Sequence, residues 1–410
     1  MYSQTKLISE RYPKWLLLIG IATALGPISM DMYLPVLPKI MTEFDAPQNQ
    51  VQYTILVFLA GLAIGQLLYG PLSDRIGRKL PLCFGIVIYT IASVGCAFSE
   101  NLAILMTWRF VQGMGGCAGV VIGRAIIRDR FGLTGSAQAF SFMLMVVLAG
   151  PMIAPVLGGW MADFGWRPIF GAMSALGAFL VGSIILSFKE TLPKKKRVHS
   201  TASTAIRQYL LLLSCTQLLS YTIVVGLMQS ALYAYVICAP FIIMEVYGVS
   251  PQYFGMVFFT NTAGLIVGSQ INAVLVERFG PDRILGIALL SPIVLSLTLI
   301  ASQLYGFSSL IVVLVALFGI LSSHGFISPN GTALGLAHHA EQAGTASALM
   351  GAIQFGIGIV AISLTSFFKV TSILPLAFAI GFCSFLALAC HRLAARPALK
   401  NSISQVEKNE

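Results

Sequence analysis

Charge is scarce in this 410-residue sequence, because only 10% of the residues are Asp, Glu, Lys or Arg while 57% are hydrophobic. An ordinary water-soluble domain carries about 25% charged residues, so the composition excludes one. Acidic residues are scarcer than basic ones, with 15 Asp and Glu against 25 Lys and Arg. The net charge of +10 is scattered over short segments without interleaved aromatics, which argues against nucleic-acid binding. The composition indicates a protein that lies largely within a membrane.

Sequence patterns of several other function classes are also absent. No G-x-x-x-x-G-K-[ST] phosphate loop occurs, so nothing predicts direct use of ATP. No His, Cys and carboxylate residues share metal-ligand spacing, and the adjacent His338 and His339 suit a solvated loop. The seven cysteines fall within apolar runs, which argues against a disulfide framework. We therefore expect neither a metal site nor a bound cofactor.

Long apolar runs predict twelve transmembrane helices, since about 20 apolar residues cross the hydrocarbon core. The predicted spans are 15–38, 52–70, 80–98, 102–127, 137–160, 168–188, 214–241, 253–275, 284–304, 308–331, 343–367 and 372–390. The first run is too long for a signal peptide and lacks a small-residue cleavage pattern, so we expect it to stay attached. Residues 284–337 carry no Asp, Glu, Lys or Arg. One helix of that length would be about 80 Å long, so we expect a turn near Gly306.

Basic residues fall mainly on one side of these spans. If both termini are cytoplasmic, twenty of the 25 Lys and Arg residues lie on inner segments. Lys39, Arg167 and Lys369 lie on outer loops, and Arg109 and Arg124 lie within spans. This asymmetry follows the positive-inside rule and predicts a multi-pass protein with both termini in the cytoplasm.

A basic linker, KETLPKKKRVHSTASTAIR, divides six spans from six. The expected divisions are an N-terminal half, a cytoplasmic linker and a C-terminal half, at 1–188, 189–207 and 208–410. Aligning Gly77 with Gly280 also aligns Asp74 with Glu277, at an offset of 203 residues. This offset is about half the chain and indicates a parallel repeat, in which substrate sites lie near the membrane midplane between the repeats.

Several stretches resemble the major facilitator superfamily, over nearly the whole chain. GPLSDRIGRK, from Gly70, is similar to its loop motif between helices two and three, and RFVQGMGG, from Arg109, to the fourth-helix motif of its proton-coupled members. AGPMIAPVLGG, residues 149–159, resembles the fifth-helix motif of its drug:proton antiporters. MDMYLP, from Met30, and AGTASALMGAIQFGIG, from Ala343, resemble the bicyclomycin and chloramphenicol resistance family. The second copy of the loop motif departs from the first and has Pro-Asp in place of Arg-Lys.

The resemblance implies an all-α fold of two six-helix halves and a proton-coupled antiporter in the bacterial inner membrane. It would export chloramphenicol-like, bicyclomycin-like or other small drugs by alternating access, as a monomer driven by the proton gradient. Its partners would be the drug, protons and the lipid bilayer. The alternative is a proton-linked importer or exporter of a small metabolite. We do not expect an enzyme, because the spans offer one carboxylate, nor a receptor, because linker and tails are too short for a signalling domain.

Asp31 and Arg109 are opposite charges at similar depths in separate spans. Each lies about 12 to 13 Å inside the outer end of its helix. Intramembrane ionisable residues normally face a cavity or a partner, so we expect Asp31 to alternate between a proton and the drug, with Arg109 charged beside it. A permanent ion pair between the helices is the alternative. Arg124 either snorkels to the inner surface or serves a cavity or gate.

The loop motif is expected to form a latch on the inner side. Its residues are Gly70, Asp74, Arg75, Gly77, Arg78 and Lys79. The glycines permit close approach or a tight turn. Asp74 is able to face the positive end of span eleven and so stabilise the outward-facing state. The alternative is that these charges only anchor the topology.

Span five is expected to act as a hinge or a seal between the halves. The motif residues are Gly150, Pro151, Ala154, Pro155, Gly158 and Gly159. Small residues at every fourth position let helices approach closely, and the prolines allow bending because they lack an amide hydrogen. Close packing without movement explains the small residues equally well.

Polar and aromatic residues in several spans are candidates for substrate binding. The set is Asp31, Phe58, Gln229, Tyr233, Tyr235, Asn261, Asn330 and Gln354. A mainly apolar cavity with a few polar groups is typical of ligand sites, and the resemblance implies that spans one, four, seven and ten line it. Taken singly, each residue is also explained by helix packing.

Overall fold

The computed structural model describes residues 14–193, 197, 202–337, 343–365 and 372–406. This part of the chain is helical and contains no β-strand. Eleven of its segments are long and apolar enough to cross a membrane, and the shorter apolar helix Thr345–Val360 occupies the place of the eleventh predicted span. The predicted all-α polytopic fold is confirmed. The predictions for His338, His339 and Lys369 concern residues outside the described part.

Fourteen α-helices are numbered here in chain order within the described residues. They are α1 (Lys14–Asp31), α2 (Leu37–Glu43), α3 (Gln48–Ile76), α4 (Lys79–Ala97), α5 (Leu102–Met161), α6 (Arg167–Ser187), α7 (Ala202–Leu213), α8 (Thr216–Pro240), α9 (Pro251–Phe279), α10 (Pro281–Ala288), α11 (Leu290–Leu304), α12 (Leu310–Leu336), α13 (Ala343–Thr365) and α14 (Leu374–Val406). The uncharged stretch turns as predicted, because α11 ends and α12 begins on either side of Gly306, whose φ is 76°.

The predicted fourth and fifth spans both lie among the helical residues of α5. The Thr23 hydroxyl donates a hydrogen bond to the carbonyl of Gly119 at 3.0 Å and lies 3.6 Å from the sulfur of Met143. A straight helix would place Gly119 and Met143 about 36 Å apart. The chain therefore reverses direction between them, and the two limbs, Leu102–Arg130 and Met145–Phe164, are separate membrane spans.

The repeated loop has the same local structure in both copies. Helices α3 and α9 contain 29 residues each. Each is followed by a glycine with positive φ, Gly77 at 105° and Gly280 at 74°. Such φ values favour glycine because it has no Cβ atom. The aligned positions thus share a backbone turn as well as a sequence pattern.

The chain forms two compact units. The first contains Met1–Ala205 and Val249–Phe259, and the second contains Ile206–Gly248 and Thr260–Glu410. The first of these boundaries falls within the predicted linker. The beginning of α9, although it follows the linker in sequence, groups with the first unit.

Helix α5 lies at the centre of the first unit and packs against α1, α3 and α4. Two of its glycines let the backbones touch. A Cβ atom on Gly113 would lie 2.2 Å from the carbonyl oxygen of Phe58, and one on Gly119 would lie 1.9 Å from that of Ala22. Small residues at helix contacts are typical of membrane bundles. Arg109, one turn before Gly113, is consequently held close to both α1 and α3.

Helix α8 has the equivalent position in the second unit. It packs against α12, α13 and α14. Its buried residues Tyr221, Val224 and Met228 form one core cluster with residues that include Ile327 of α12 and Ala387 of α14. The side chains predicted to bind substrate from this half are therefore carried by closely packed helices.

Candidate functional site

The first membrane span breaks at the residue that carries its carboxylate. Helix α1 ends at Asp31, a 3-10 turn follows at Leu34–Val36, and α2 begins at Leu37. Pro35 explains the break, because it has no amide hydrogen to donate to the carbonyl of Asp31 four residues earlier and its ring crowds that carbonyl. Irregular backbone at membrane depth is tolerated where it is buried in protein or lines a cavity. Only 6% of Asp31 is exposed.

Aromatic rings enclose Arg109, which is 0% exposed. Its guanidinium carbon lies 4.2 Å from the ring centre of Phe58, 4.5 Å from that of Tyr33 and 5.8 Å from that of Phe170. We call these three side chains the ring cage. A desolvated cation over an aromatic face gains on the order of 2 kcal/mol. Three rings together therefore offset a substantial part of the several kcal/mol that burying an ion costs.

Hydrogen bonds fix Arg109 on one side only. Its Nη1 donates to the side-chain oxygen of Gln112 at 2.7 Å and to the carbonyl of Ser29 at 3.4 Å. Gln112 is held in turn, since its amide donates to Ser93 Oγ at 2.8 Å and to the sulfur of Met173 at 3.5 Å. In the described structure, Nε and Nη2 of Arg109 are buried without a hydrogen-bond partner. This arginine has unused donors.

Asp31 and Arg109 share a level without forming an ion pair. Arg109 contacts Ser29 and Tyr33, the residues two positions before and after Asp31. Two helical residues turn about 200°, so Asp31 leaves α1 on nearly the opposite side from Ser29. Within the described residues, no basic nitrogen lies within 4.0 Å of the Asp31 carboxylate and no carboxylate lies that close to Arg109. The permanent ion pair is therefore not formed.

The loop motif forms an ion cluster centred on Arg78. This arginine donates to Asp129 at 2.9 Å, to Asp74 at 2.5 Å and to Ser73 Oγ at 2.8 Å. Burial acts to lower the pKa of Arg78, but Asp129 and Asp74 outweigh it and raise that pKa. The predicted latch residue Asp74 is thus paired within its own unit.

Glu190, at the start of the predicted linker, binds the same loop. Its carboxylate accepts backbone N–H groups from Arg78 at 2.9 Å, Lys79 at 3.2 Å, and Thr191 and Leu192 at 2.9 Å each. The first two belong to the N-terminal end of α4, where the helix dipole favours an anion. Burial acts to raise the pKa of Glu190, but the four backbone donors outweigh it and lower that pKa.

The two glycines of the loop motif differ in what they require. A Cβ atom on Gly77 would lie 2.5 Å from Glu190 Oε2, so this position needs glycine for space as well as for its φ. A Cβ atom on Gly70 would lie 4.0 Å from Val121 Cγ1, an ordinary van der Waals contact. Of these two glycines, Gly77 is the one that makes a close approach. Arg75 is exposed.

In the second copy of the loop, Asp282 takes a different role. Tyr221 donates its hydroxyl to Asp282 at 3.1 Å, and His391 Nδ1 lies 3.9 Å from the same oxygen. The charged cluster of the first copy is thus replaced by a tyrosine, a histidine and one acid. Arg124, the other basic residue predicted within a span, has an exposed side chain on α5.

The small face of span five packs on α1 beside the helix break. A Cβ atom on Gly150 would lie 2.9 Å from Ile28 Cγ1, and one on Gly158 would lie 2.2 Å from the carbonyl oxygen of Met32. Ala154, between them, is buried. Gly158 therefore touches the backbone next to Asp31. Movement of span five would displace that backbone.

The other side of span five contacts the beginning of α9. A Cβ atom on Gly159 would lie 2.5 Å from the carbonyl oxygen of Pro251, and one on Gly255 would lie 2.7 Å from that of Pro155. Helix α5 continues through Pro151 and Pro155 without a break. The motif residues are thus divided between contacts with α1 and with α9.

The candidate substrate residues after the linker lie on α8, α9, α12 and α13 of the second unit. Asn261 donates to the Tyr235 hydroxyl at 3.4 Å, and the Tyr233 ring stacks on Phe355 with centres 6.0 Å apart.

The remaining substrate candidates after the linker are Asn330, Gln229 and Gln354. Both glutamines are half-buried. Asn330 donates to Asn272 at 2.6 Å and to the carbonyl of Phe326 at 2.9 Å. Asn272 was not predicted as a site residue. Phe58, the candidate before the linker besides Asp31, is buried with its ring face against Arg109.

Sequence reasoning missed the residues that support the charged ones. Tyr33 lies inside the MDMYLP stretch, and Glu190 lies shortly before the basic run of the linker. Neither pattern indicates which residue these side chains contact. Phe170 and Gln112 carry no local signal, because aromatic and polar residues at helical spacing are common in such spans. Among the described residues, no group of three or more His, Cys, Asp or Glu is placed to hold a metal ion.

Comparison with curated proteins gives relatives over nearly the full chain. An uncharacterized MFS-type transporter of Bacillus subtilis, YdgK, is 33% identical over 92% of this chain and 95% of its own length. A bicyclomycin resistance protein homolog of Haemophilus influenzae is 29% identical over 94% of this chain and 97% of its own. A chloramphenicol resistance protein of Pseudomonas aeruginosa is 27% identical over 85% and 83%.

Comparison with solved structures identifies transporters whose fold is similar to that of this chain. A D-xylose-proton symporter superposes with a TM-score of 0.77 over 92% of this chain and 96% of its own, at 16% identity. The profile of the Major Facilitator Superfamily matches residues 19–363. The chain therefore belongs to the major facilitator superfamily, whose members are membrane transporters rather than enzymes.

Proposed function

We propose that the protein is a proton-coupled antiporter that exports antibiotics or other small drugs by alternating access. The observation that carries this proposal is a buried carboxyl group, Asp31, that has no ion-pair partner in the described structure although it lies level with Arg109. Such a group is able to take up and release a proton without breaking a salt bridge.

Competition at one carboxyl group explains exchange. An isolated charge at the centre of a bilayer costs about 2.5 to 3.5 kcal/mol. A proton on Asp31 removes that charge, and a cationic or hydrogen-bond-donating group of a drug offsets it. Because both act on one side chain, drug and proton exclude one another, and proton entry drives drug exit. Arg109, the other residue that we assign to proton coupling, stays charged at the same depth in the membrane.

The proposed substrates follow from the relatives. One is named for bicyclomycin resistance and one for chloramphenicol resistance. Both compounds are small and carry several hydrogen-bonding groups. The amide side chains Gln229, Asn261, Asn330 and Gln354 suit such compounds, with Tyr233 and Tyr235 as aromatic contacts. We propose these residues as the drug-binding side chains of the second unit, and Asp31 and Phe58 as those of the first.

Two elements are proposed to couple the site to alternating access. The ion cluster around Arg78, with Asp74 and Glu190, stabilises one end of the first unit. Span five, through Gly158, transmits movement to the backbone beside Asp31. We place the protein in the bacterial inner membrane as a monomer with both termini in the cytoplasm, so that the Arg78 cluster faces the cytoplasm.

The alternative is a proton-linked carrier of a small metabolite. The fold does not separate the two functions, because a D-xylose-proton symporter shares it. The span-five pattern AGPMIAPVLGG and the resistance proteins among the relatives favour drug export.

Accumulation of labelled antibiotics in a pump-deficient bacterium tests the proposal. We expect wild type to lower accumulation of chloramphenicol or bicyclomycin, a protonophore to abolish this effect, and Asp31→Asn to fail although it is inserted normally. Asp45→Asn is the matched control, because Asp45 is exposed and has a positive φ of 45° that asparagine tolerates. Export by wild type that persists with the protonophore would reject proton coupling. Export of neither drug would favour the metabolite carrier.

A further inference from the structure

We propose that His391 is a second proton-binding site of the protein, with Asp282 as the carboxylate that pairs with the protonated ring. A proton on His391 turns a loose contact into an ion pair that fastens α14 to the start of α10. Neither residue belongs to the site proposed for drug export, so this inference goes beyond that function. Its test requires neither drug nor transport.

Three helices of the second unit bring ionisable side chains to one point. His391 lies on α14, Asp282 at the start of α10 and Tyr221 near the start of α8. His391 Nδ1 lies 3.9 Å from Asp282 Oδ1, and the Tyr221 hydroxyl donates to the same oxygen at 3.1 Å. The centres of the Tyr221 and His391 rings are 6.3 Å apart. One carboxylate oxygen therefore faces a hydroxyl donor that keeps its proton and a ring that titrates near neutral pH.

The imidazole of His391 faces two positions of α10. Asp282 and Gly286 are four residues apart and so share one face of that helix. A Cβ atom on Gly286 would lie 3.1 Å from His391 Nε2, so a side chain at this position would crowd the ring. His391 is 5% exposed, and its Nδ1 is buried without a hydrogen-bond partner in the described structure. A small movement of the ring brings Nδ1 within hydrogen-bond distance of Asp282.

Few other charged groups surround His391. Arg392, the next residue of α14, is exposed and repels a protonated ring, and Arg283, next to Asp282, is exposed as well. Helices α8, α10, α11 and α13 pack against α14. Neither α11 nor α13 carries an ionisable side chain, and the next one on α8 after Tyr221 lies about 18 Å further along that helix. Within the described residues, Asp282 is the only carboxylate within 4.0 Å of the His391 ring.

The internal repeat supports this assignment. In the first copy, the carboxylate of Glu190 accepts the backbone N–H of Lys79 at 3.2 Å. At the offset of 203 residues that aligns the two loops, Lys79 corresponds to Asp282. The same offset places the counterpart of Glu190 two positions after His391. In both units, a side chain near the end of the last span of that half thus contacts the helix after the loop. The second unit has the acid on the loop side and a titratable base on the span.

The charge on His391 decides how α14 and α10 are joined. An ordinary imidazole takes up a proton near pH 6.5. In the neutral state, His391 packs beside Asp282, and the carboxylate keeps Tyr221 as its donor. In the protonated state, the ring presents a positive charge and an N–H group to the carboxylate, and a charge-assisted hydrogen bond joins the two. In the topology proposed above, this end of the unit faces the cytoplasm, so the site responds to cytoplasmic pH.

Nuclear magnetic resonance measures the proton on His391 directly. The full-length protein with 13C-labelled histidine, in detergent and without drug, is titrated from pH 5 to pH 8.5. His391→Gln identifies the signal, because it removes one of the five histidines. We expect Asp282→Asn to lower the titration midpoint of His391 by about 0.5 to 1 pH unit, a loss of proton affinity of roughly threefold to tenfold. Asp282→Glu, which keeps the negative charge, should lower it less, and Tyr221→Phe should not lower it.

Glu277→Gln is the matched control for loss of an acid. Glu277 is exposed on α9, shortly before the same loop, and within the described residues it forms no ion pair. The Glu277 variant should titrate like wild type. Asp282→Ser replaces Asp282→Asn if the latter does not fold.

Thermal unfolding gives a second measurement on the same proteins. Asp282 stabilises the protonated ring in the folded state, and this contribution is present in acid and lost as pH rises through the midpoint of His391. The unfolding midpoint of Asp282→Asn should therefore fall further below that of wild type at pH 5.5 than at pH 8. The proposal is overturned if the Asp282 and Glu277 variants titrate alike, or if His391 of wild type does not titrate between pH 5 and pH 8.5.

Discussion

The guanidinium carbon of Arg109 lies 4.2 Å from the ring centre of Phe58, on a neighbouring helix. Gly113, one turn further along α5, makes this approach feasible because its lack of a side chain lets the two backbones touch. The charged residue, the ring and the glycine thus form one structural unit. Its effect is to hold a positive charge inside the membrane without a salt bridge from any of the described residues.

Replacement of Arg109 by lysine should show that the planar guanidinium matters. A lysine ammonium keeps the charge but is a compact point charge, unable to face several rings and Gln112 at once. We expect Arg109→Lys to lower drug export at least tenfold in the accumulation assay and to lower the thermal unfolding midpoint. Arg128→Lys, at an exposed position of the same helix, should leave both nearly unchanged. Equal export by the two variants would contradict the assigned role of the guanidinium.

Replacement of Gly158 by alanine should force span five away from α1. The new Cβ atom would lie 2.2 Å from the carbonyl oxygen of Met32, so a backbone must shift. We expect a lower unfolding midpoint and loss of export. Gly171→Ala is the control, because a Cβ atom there meets nothing within 4 Å. Since alanine favours a helix by about 1 kcal/mol over glycine, the Gly171→Ala control should be at least as stable as wild type. Equal unfolding midpoints and equal export for the two variants would argue against the contact between Gly158 and Met32.

Glu190 should make the stability of the protein depend on pH in the acid range. Its pKa is lowered in the folded state by four backbone donors despite partial burial. A lowered folded-state pKa means that the stabilisation is complete above the unfolded value of about 4.3 and is lost as pH falls through the folded value. We expect Glu190→Gln to lower the thermal unfolding midpoint by a few degrees at pH 6, and the difference from wild type to shrink below about pH 4.

Glu100→Gln provides the control for that experiment, since Glu100 is exposed in a loop of the same unit. Its midpoint should follow wild type throughout. A Glu190→Gln protein whose difference from wild type stays constant from pH 6 to pH 3 would show that the carboxylate charge does not stabilise the loop.

The membrane architecture was predictable because single residues and their spacing determine it. Apolar runs of about 20 residues locate the spans, and the unbroken run from Ile284 to Ala337 had to turn near Gly306 since no bilayer is wide enough for it. The loop glycines Gly77 and Gly280 both have the positive φ that the aligned pattern indicates. Asp31 and Arg109 drew attention because ionisable residues are rare inside spans.

The surroundings of the charged residues were not predictable, because they depend on contacts between distant parts of the chain. The ring cage of Arg109 joins residues 33, 58 and 170, and each ring alone looks like ordinary helix packing. Glu190 contacts Arg78 across 112 positions, although the sequence presents it as part of a basic linker. The sequence also did not show that Asp31 and Arg109, despite their common level, would stay apart.

Release of a proton on drug binding tests the central claim most directly. Chloramphenicol or bicyclomycin is added to the purified protein in weakly buffered detergent solution near neutral pH, and a pH-sensitive dye reports released protons. If drug and proton compete for Asp31, wild type releases up to one proton per molecule and Asp31→Asn releases none. Equal release by wild type and Asp31→Asn, or drug binding by wild type without any release, would contradict the account.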